Sequence, residues 1–169
     1  MNNSETEVIN DTPEIKVRPD YHPGYQGHRC RIYLVRENIA HEPIQVTDQN
    51  QAYNLVKEEL ISSDREIMLS ILLNTQNNLI GVETVAIGSV QACAFTAGDV
   101  FKGALCANAV SLILCHNHPS GSLKPSHEDL KITESMQQAG KLLGIRVLDH
   151  LIITHTGFMS IIHEAANYK

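Results

Sequence analysis

"LILCHNHPSGSLKPSHED", residues 112–129, runs from an apolar strand-like segment through two histidines and a turn into a helix start. Side chains two apart on a strand point the same way. His116 and His118 therefore share one face at the strand's end, while Cys115 and Asn117 take the other. Pro119-Ser120-Gly121 turns the chain, and Ser126 is a helix N-cap candidate that places Asp129 in the first helical turn, where its carboxylate can fold back toward the histidines. Two imidazoles and one carboxylate make a three-ligand set for a catalytic zinc, with the fourth tetrahedral position left to water. Zinc lowers the pKa of such a water from about 16 to about 7 and polarises carbonyl oxygens, which suits hydrolysis at neutral pH. Each feature alone has an ordinary job: an H-x-H pair at a strand end is more often structural, and a cap contributes about 1 kcal/mol to a helix. The joint spacing is what points to a site.

Outward from this stretch, helices and strands alternate. Ala52, Leu55, Val56 and Leu60 share a helical face after Pro43 and Thr47. "EIMLSILLN" from Glu66 and "NLIGVETVAIGSV" from Asn78 form a hairpin candidate around "NTQNN". Thr96 and Asp99 form a capping-box variant ahead of a helix with Val100, Phe101, Ala104, Leu105 and Asn108 on one side. Ser126 opens a second helix whose inner face is expected to carry Leu130, Thr133, Met136, Gln137, Gly140 and Leu143, with Gly144 at its C-terminus. "RVLDHLIIT" and "FMSII" then read as strands around the tight turn "HTG". With a further strand at 31–36, "RIYLVR", the class is α/β or α+β, a mixed sheet flanked by helices. Residues 1–27 are polar, acidic and rich in Pro and Gly, expected as a flexible tail before a domain over 28–169.

Composition narrows the function classes. Apolar residues are 43% and charged residues 19%, as in an ordinary globular protein. The net charge is −6, from 13 Lys and Arg against 19 Asp and Glu, and no basic stripe of the kind that non-specific nucleic-acid binding uses is present. Cys30, Cys93, Cys106 and Cys115 form no C-x-x-C pair, so neither a zinc ribbon nor a dithiol redox motif is written. The start of the chain has no basic and then apolar pattern, and no apolar run nears about 20 residues; a cytoplasmic protein without membrane attachment is expected.

H-x-H, seven residues, then S-x-x-D is the pattern of the JAMM metalloproteases. More closely, "HNHPSG", "PSHED" and "GIRVLDHLII" resemble the RadC family over about residues 31–162, nearly everything but the tail. The resemblance implies a JAMM/MPN, cytidine-deaminase-like three-layer architecture with Zn2+ on His116, His118 and Asp129. It implies that Ser126 steadies an oxyanion or the attacking water. It also selects a base: the residues alone leave Glu66 and Glu83 as rivals, and the family's glutamate at the head of a core strand after an arginine matches Glu66 in "DREIMLSILLN". One departure is the helix start "TAGDVFKGAL", with Gly98 and Asp99 where the family has Arg-Glu. Another is length, since a 27-residue tail cannot supply the N-terminal helix-hairpin-helix-like domain of longer relatives.

The expected function is a zinc-dependent hydrolase of a peptide or isopeptide bond in a protein or peptide substrate. The alternative is a DNA-repair or mobile-element accessory protein that uses the fold with little or no peptidase activity. A zinc nucleobase deaminase is set aside, because its motif needs two cysteines that are missing here. His41-Glu42, His127-Glu128 and His163-Glu164 begin H-E-x-x-H without completing it. His150, in "VLDHLII", is expected chiefly as a satisfied core histidine, with a partner to a zinc ligand as the alternative.

Overall fold

The computed structural model describes residues 42–88 and 95–167. The strand expected at 31–36, the tail at 1–27 and the boundary at residue 28 lie outside them. The two most apolar runs form the middle of the sheet. β1 (Ile67–Leu73) is buried at all but its first residue, and β3 (Ser111–Asn117) throughout. β2 (Leu79–Ile87) pairs with β1 as the expected antiparallel hairpin, and β1 in turn runs antiparallel to β3. β4 (Arg146–Thr154) lies parallel to β3, and β5 (Gly157–Ser160) returns antiparallel along β4. The order β2-β1-β3-β4-β5 is the mixed sheet that the sequence led us to expect.

Strand alternation sends apolar residues to both faces, so a helix layer is needed on each. Leu69, Ile71, Leu73, Ile113, Cys115, Leu151 and Ile153 pack with Ala52, Val56 and Leu60 of α1 (Gln49–Ile61). Met68, Leu72, Leu112 and Leu114 meet Val100, Phe101 and Ala104 of α2 (Ala97–Cys106) and Met136 of α3 (His127–Leu143) on the opposite face. The result is a three-layer α+β architecture. Cys115 is wholly buried on the α1 side, and burial, with the Asp149 charge adding to it, pushes its thiol pKa far up, so it behaves as an inert core residue.

Three local expectations are corrected. "FMSII" is not strand to its end: β5 stops at Ser160, and a helix, α4 (Ile161–Asn167), begins at the first of the two isoleucines. The Ser160 hydroxyl accepts from the His163 amide (3.1 Å), an N-cap contact that competes with strand continuation. On α3, Leu130 and Leu143 are 44% and 45% exposed, and the inner stripe is Asp129, Thr133, Met136 and Gly140. That rotation turns a carboxylate and a hydroxyl toward the sheet. Gly140 lets α3 sit so close to the following chain that a β-carbon there would overlap the Ile145 carbonyl oxygen. Leu105 is likewise exposed, and Asn108 lies beyond the end of α2.

Candidate metal centre

The end of β3 and the start of α3 bring the motif together. His116 faces the α3 side of the sheet opposite Met68, and His118 follows directly after the strand. Ser126 caps α3, and Asp129 closes a capping box with it. The Asp129 amide donates to Ser126 Oγ (3.1 Å), while Asp129 Oδ2 accepts from the Ser126 amide and hydroxyl (2.6 Å each). These bonds aim the carboxylate at the histidines: Oδ1 lies 3.3 Å from His116 Nε2, and Oδ2 lies 3.5 Å from His118 Nε2. The two Nε2 atoms are 3.0 Å apart. Glu66, just before β1, brings its carboxylate to the same place, and one ligand atom from each of Glu66, His116, His118 and Asp129 fits within 4.8 Å of the others.

The hydrogen-bond directions set the tautomers. Thr133 Oγ1 lies 2.6 Å from the Asp129 carbonyl oxygen, which can only accept, so the Thr133 proton is committed there. Thr133 must then accept from His150 Nδ1–H (2.6 Å). His150 Nε2 is therefore bare and accepts from His116 Nδ1–H (2.8 Å), which leaves His116 Nε2 without a proton. His118 Nδ1–H donates to the Ser122 carbonyl (2.7 Å), so its Nε2 also offers a lone pair. Two such lone pairs 3.0 Å apart repel unless a cation lies between them, and the carboxylate beside them adds negative charge. This donor set fits a metal ion.

The electrostatics agree. Burial first, then the charges of His116 and His118, hold the His150 pKa well below that of a free imidazole, so His150 stays the neutral acceptor that the chain requires. Hydrogen bonding to Asp129 is the main cause that raises the His118 pKa. Burial pulls the Asp129 pKa up, but interactions with the His116 and His118 imidazoles and the hydrogen bond from Ser126 outweigh it and hold the carboxyl ionised.

Ser126 donates its single hydroxyl proton to Asp129, so this geometry gives it the job of holding a carboxylate. Glu83, the rival base, lies on β2 opposite Ser70 and against Gly103 of α2, outside the four-residue group; burial raises its pKa, against the opposing charge of Lys102. Gly98 and Asp99, where the resemblance implies Arg-Glu, begin α2: Asp99 Oδ2 accepts from the Thr96 amide (2.9 Å) to close a capping box. His150 is the wholly buried, hydrogen-bonded core histidine that was expected, and it is also the direct partner of His116. The parallel register that sets Leu114 opposite His150 brings it there, and no local spacing announces that register.

A profile of the family described as "RadC-like JAB domain" matches residues 46–167. UPF0758 protein CA_C1241 of Clostridium acetobutylicum is 40% identical over 123 residues, covering 73% of this chain and 54% of the relative. UPF0758 protein TTE0897 of Caldanaerobacter subterraneus is 42% identical over 127 residues, 75% of this chain and 52% of the relative. UPF0758 protein Mbar_A2303 of Methanosarcina barkeri is 39% identical over 129 residues, 76% of this chain and 56% of the relative. The chain thus spans about half the length of these curated relatives.

Proposed function

Because this chain belongs to the RadC-like JAB domain family, we propose that it is a zinc-dependent hydrolase of a peptide or isopeptide bond. The observation that carries the reading is the pair of bare imidazole nitrogens, 3.0 Å apart beside a buried carboxylate. Two nitrogens and one oxygen suit zinc and leave room for a further ligand. His116 Nε2, His118 Nε2 and an Asp129 carboxylate oxygen would hold the ion. When bound, it supplies Lewis acidity to water and to the substrate carbonyl.

The remaining work falls to the protein. Glu66 accepts the proton of the attacking water and returns it to the leaving amine, a role worth about 10²–10⁴ in rate. Its carboxylate is within 4.8 Å of the ligand atoms, a span that one water bridges, and it has no hydrogen bond among the described residues that would divert it. Ser126 fixes Asp129, and becomes an oxyanion donor only by exchanging that carboxylate for the substrate oxygen. His150 and Thr133 keep His116 in the ligating tautomer.

The test is a Glu66→Gln trap. The variant is expected to retain zinc and to co-purify with a protein that the parent chain cleaves at one bond and the variant does not. If the variant cleaves the captured protein at the parent's rate, Glu66 is not the base. A folded parent chain that holds no zinc and captures nothing favours instead the DNA-repair or mobile-element accessory reading.

A further inference from the structure

We infer that Asn117, the residue between the two histidines, is a positioning residue for Glu66; this rests on the reading of Glu66 as the base. By strand alternation Asn117 points away from His116, and the sequence gives it no task. Its buried carboxamide reaches across to the start of β1. Asn117 Oδ1 accepts from the Ile67 amide at 2.7 Å, and Asn117 Nδ2 donates to the Arg65 carbonyl at 2.9 Å. One side chain thus binds the peptide groups on both sides of Glu66.

The arrangement replaces a rung of the sheet. Met68 opposite His116 is the last backbone pair between β1 and β3 at this end, and β3 stays paired with β4 through Asn117 and Ile153. At the next position the Asn117 carboxamide, with one donor and one acceptor held in a plane, serves β1 in place of the backbone. On the other side the Gly88 amide donates to the Glu66 carbonyl (2.7 Å), which ties the same residue to the end of β2. Ser63 Oγ also donates to the Arg65 carbonyl (2.8 Å), so the Ile67 amide is the group that depends most on Asn117. Asn117 is covalently flanked by both ligating histidines. The base, distant in the chain, is therefore held in fixed relation to the ligands by the residue that separates them.

The asparagine carboxamide supplies both the acceptor for Ile67 and the donor to Arg65. Alanine removes both bonds, whereas aspartate keeps the acceptor for Ile67 and loses the donor to Arg65. The experiment measures amide exchange at Ile67, zinc per chain, and the visible spectrum of the full chain loaded with cobalt(II) alone. In Asn117→Ala, the Ile67 amide is expected to exchange at least about tenfold faster while the Leu69 and Ile71 amides keep their protection. Zinc per chain stays near that of the parent. The cobalt bands shift as they do in Glu66→Gln, and the double variant shows no further shift. Asn117→Asp keeps Ile67 protected and a spectrum close to that of the parent.

Unchanged Ile67 exchange in Asn117→Ala overturns the bracket. So does a loss of zinc in that variant, or a cobalt shift that adds to that of Glu66→Gln, since either places the effect on the ligands. A parent chain that binds no cobalt refutes the hydrolase reading, and with it the catalytic use of the bracket. A normal parent spectrum with unaltered Ile67 exchange refutes the bracket alone.

Discussion

Replacing Thr133 by valine removes one hydroxyl from a closed loop of contacts and leaves the side-chain shape almost unchanged. Thr133 is 5% exposed and connects His150 Nδ1 to the Asp129 carbonyl through two 2.6 Å contacts. The carbonyl keeps its helical partner. His150 Nδ1–H, on a ring with no exposure, loses its acceptor, at a cost of about 1–3 kcal/mol. A change of tautomer gives no escape: a proton moved to His150 Nε2 would face His116 Nδ1–H at 2.8 Å. Relief would then require His116 to carry its proton on Nε2, the nitrogen that meets His118 and Asp129. Zinc affinity is accordingly expected to fall about 10–100-fold, the usual range for the loss of a partner behind a metal ligand. Competition with a chromophoric chelator measures the affinity, and urea unfolding of the metal-free protein measures the stability. Thr133→Ser, which keeps the hydroxyl, should stay near the parent in both. A valine variant within about twofold in affinity and about 0.5 kcal/mol in stability would refute the directional chain.

Further outcomes follow from the same geometry. In the metal-free protein, the raised His118 pKa stabilises the fold fully below the unfolded value of about 6.5, and that contribution is lost as pH rises through the folded value. The lowered Asp129 pKa acts in the other sense, with its contribution present above about 3.9 and lost as pH falls toward the folded value. Urea unfolding across pH checks both, and Asp129→Asn should abolish most of the acid-side dependence of this pair. Zinc affinity should weaken as pH falls through the raised His118 value, because a protonated His118 must lose its proton before it can ligate. Glu66→Gln is expected to keep zinc and lose about 10²–10⁴ in turnover of the captured substrate. Gly140→Ala should cost about 1–3 kcal/mol in urea unfolding, since its β-carbon meets the backbone of Ile145 rather than a yielding side chain.

What could be read from sequence was local. His116 and His118 are two apart, and Ser126 and Asp129 three apart, so strand alternation and an N-cap with its first helical turn placed all four before any tertiary information entered. The apolar segments at β1 and β3 read as strands of a mixed sheet flanked by helices. The contacts that complete the centre are distant in the chain. His150 meets His116 only through the parallel register of β3 and β4, and Asn117 meets Ile67 only where the β1 ladder ends. Glu66 and Glu83 each stand at a strand with nothing nearby to separate them, and the sheet order distinguishes them. Helical spacing sets Leu130 and Leu143 on the same expected inner face as Thr133, Met136 and Gly140. The stripe Asp129, Thr133, Met136 and Gly140 turns α3 to serve the centre, leaving those leucines in solvent. Ile161 and Ile162 prolonged an apolar strand pattern that the Ser160 cap interrupts.

The most direct test of the metal centre is zinc per chain in the folded protein, measured beside Asp129→Ala and His116→Ala. The geometry predicts a value near one for the parent and less than about a tenth of that in either variant, with the parent's zinc removed by a chelator and restored by zinc alone. A folded parent chain without zinc, or alanine variants that hold as much zinc as the parent, would contradict it.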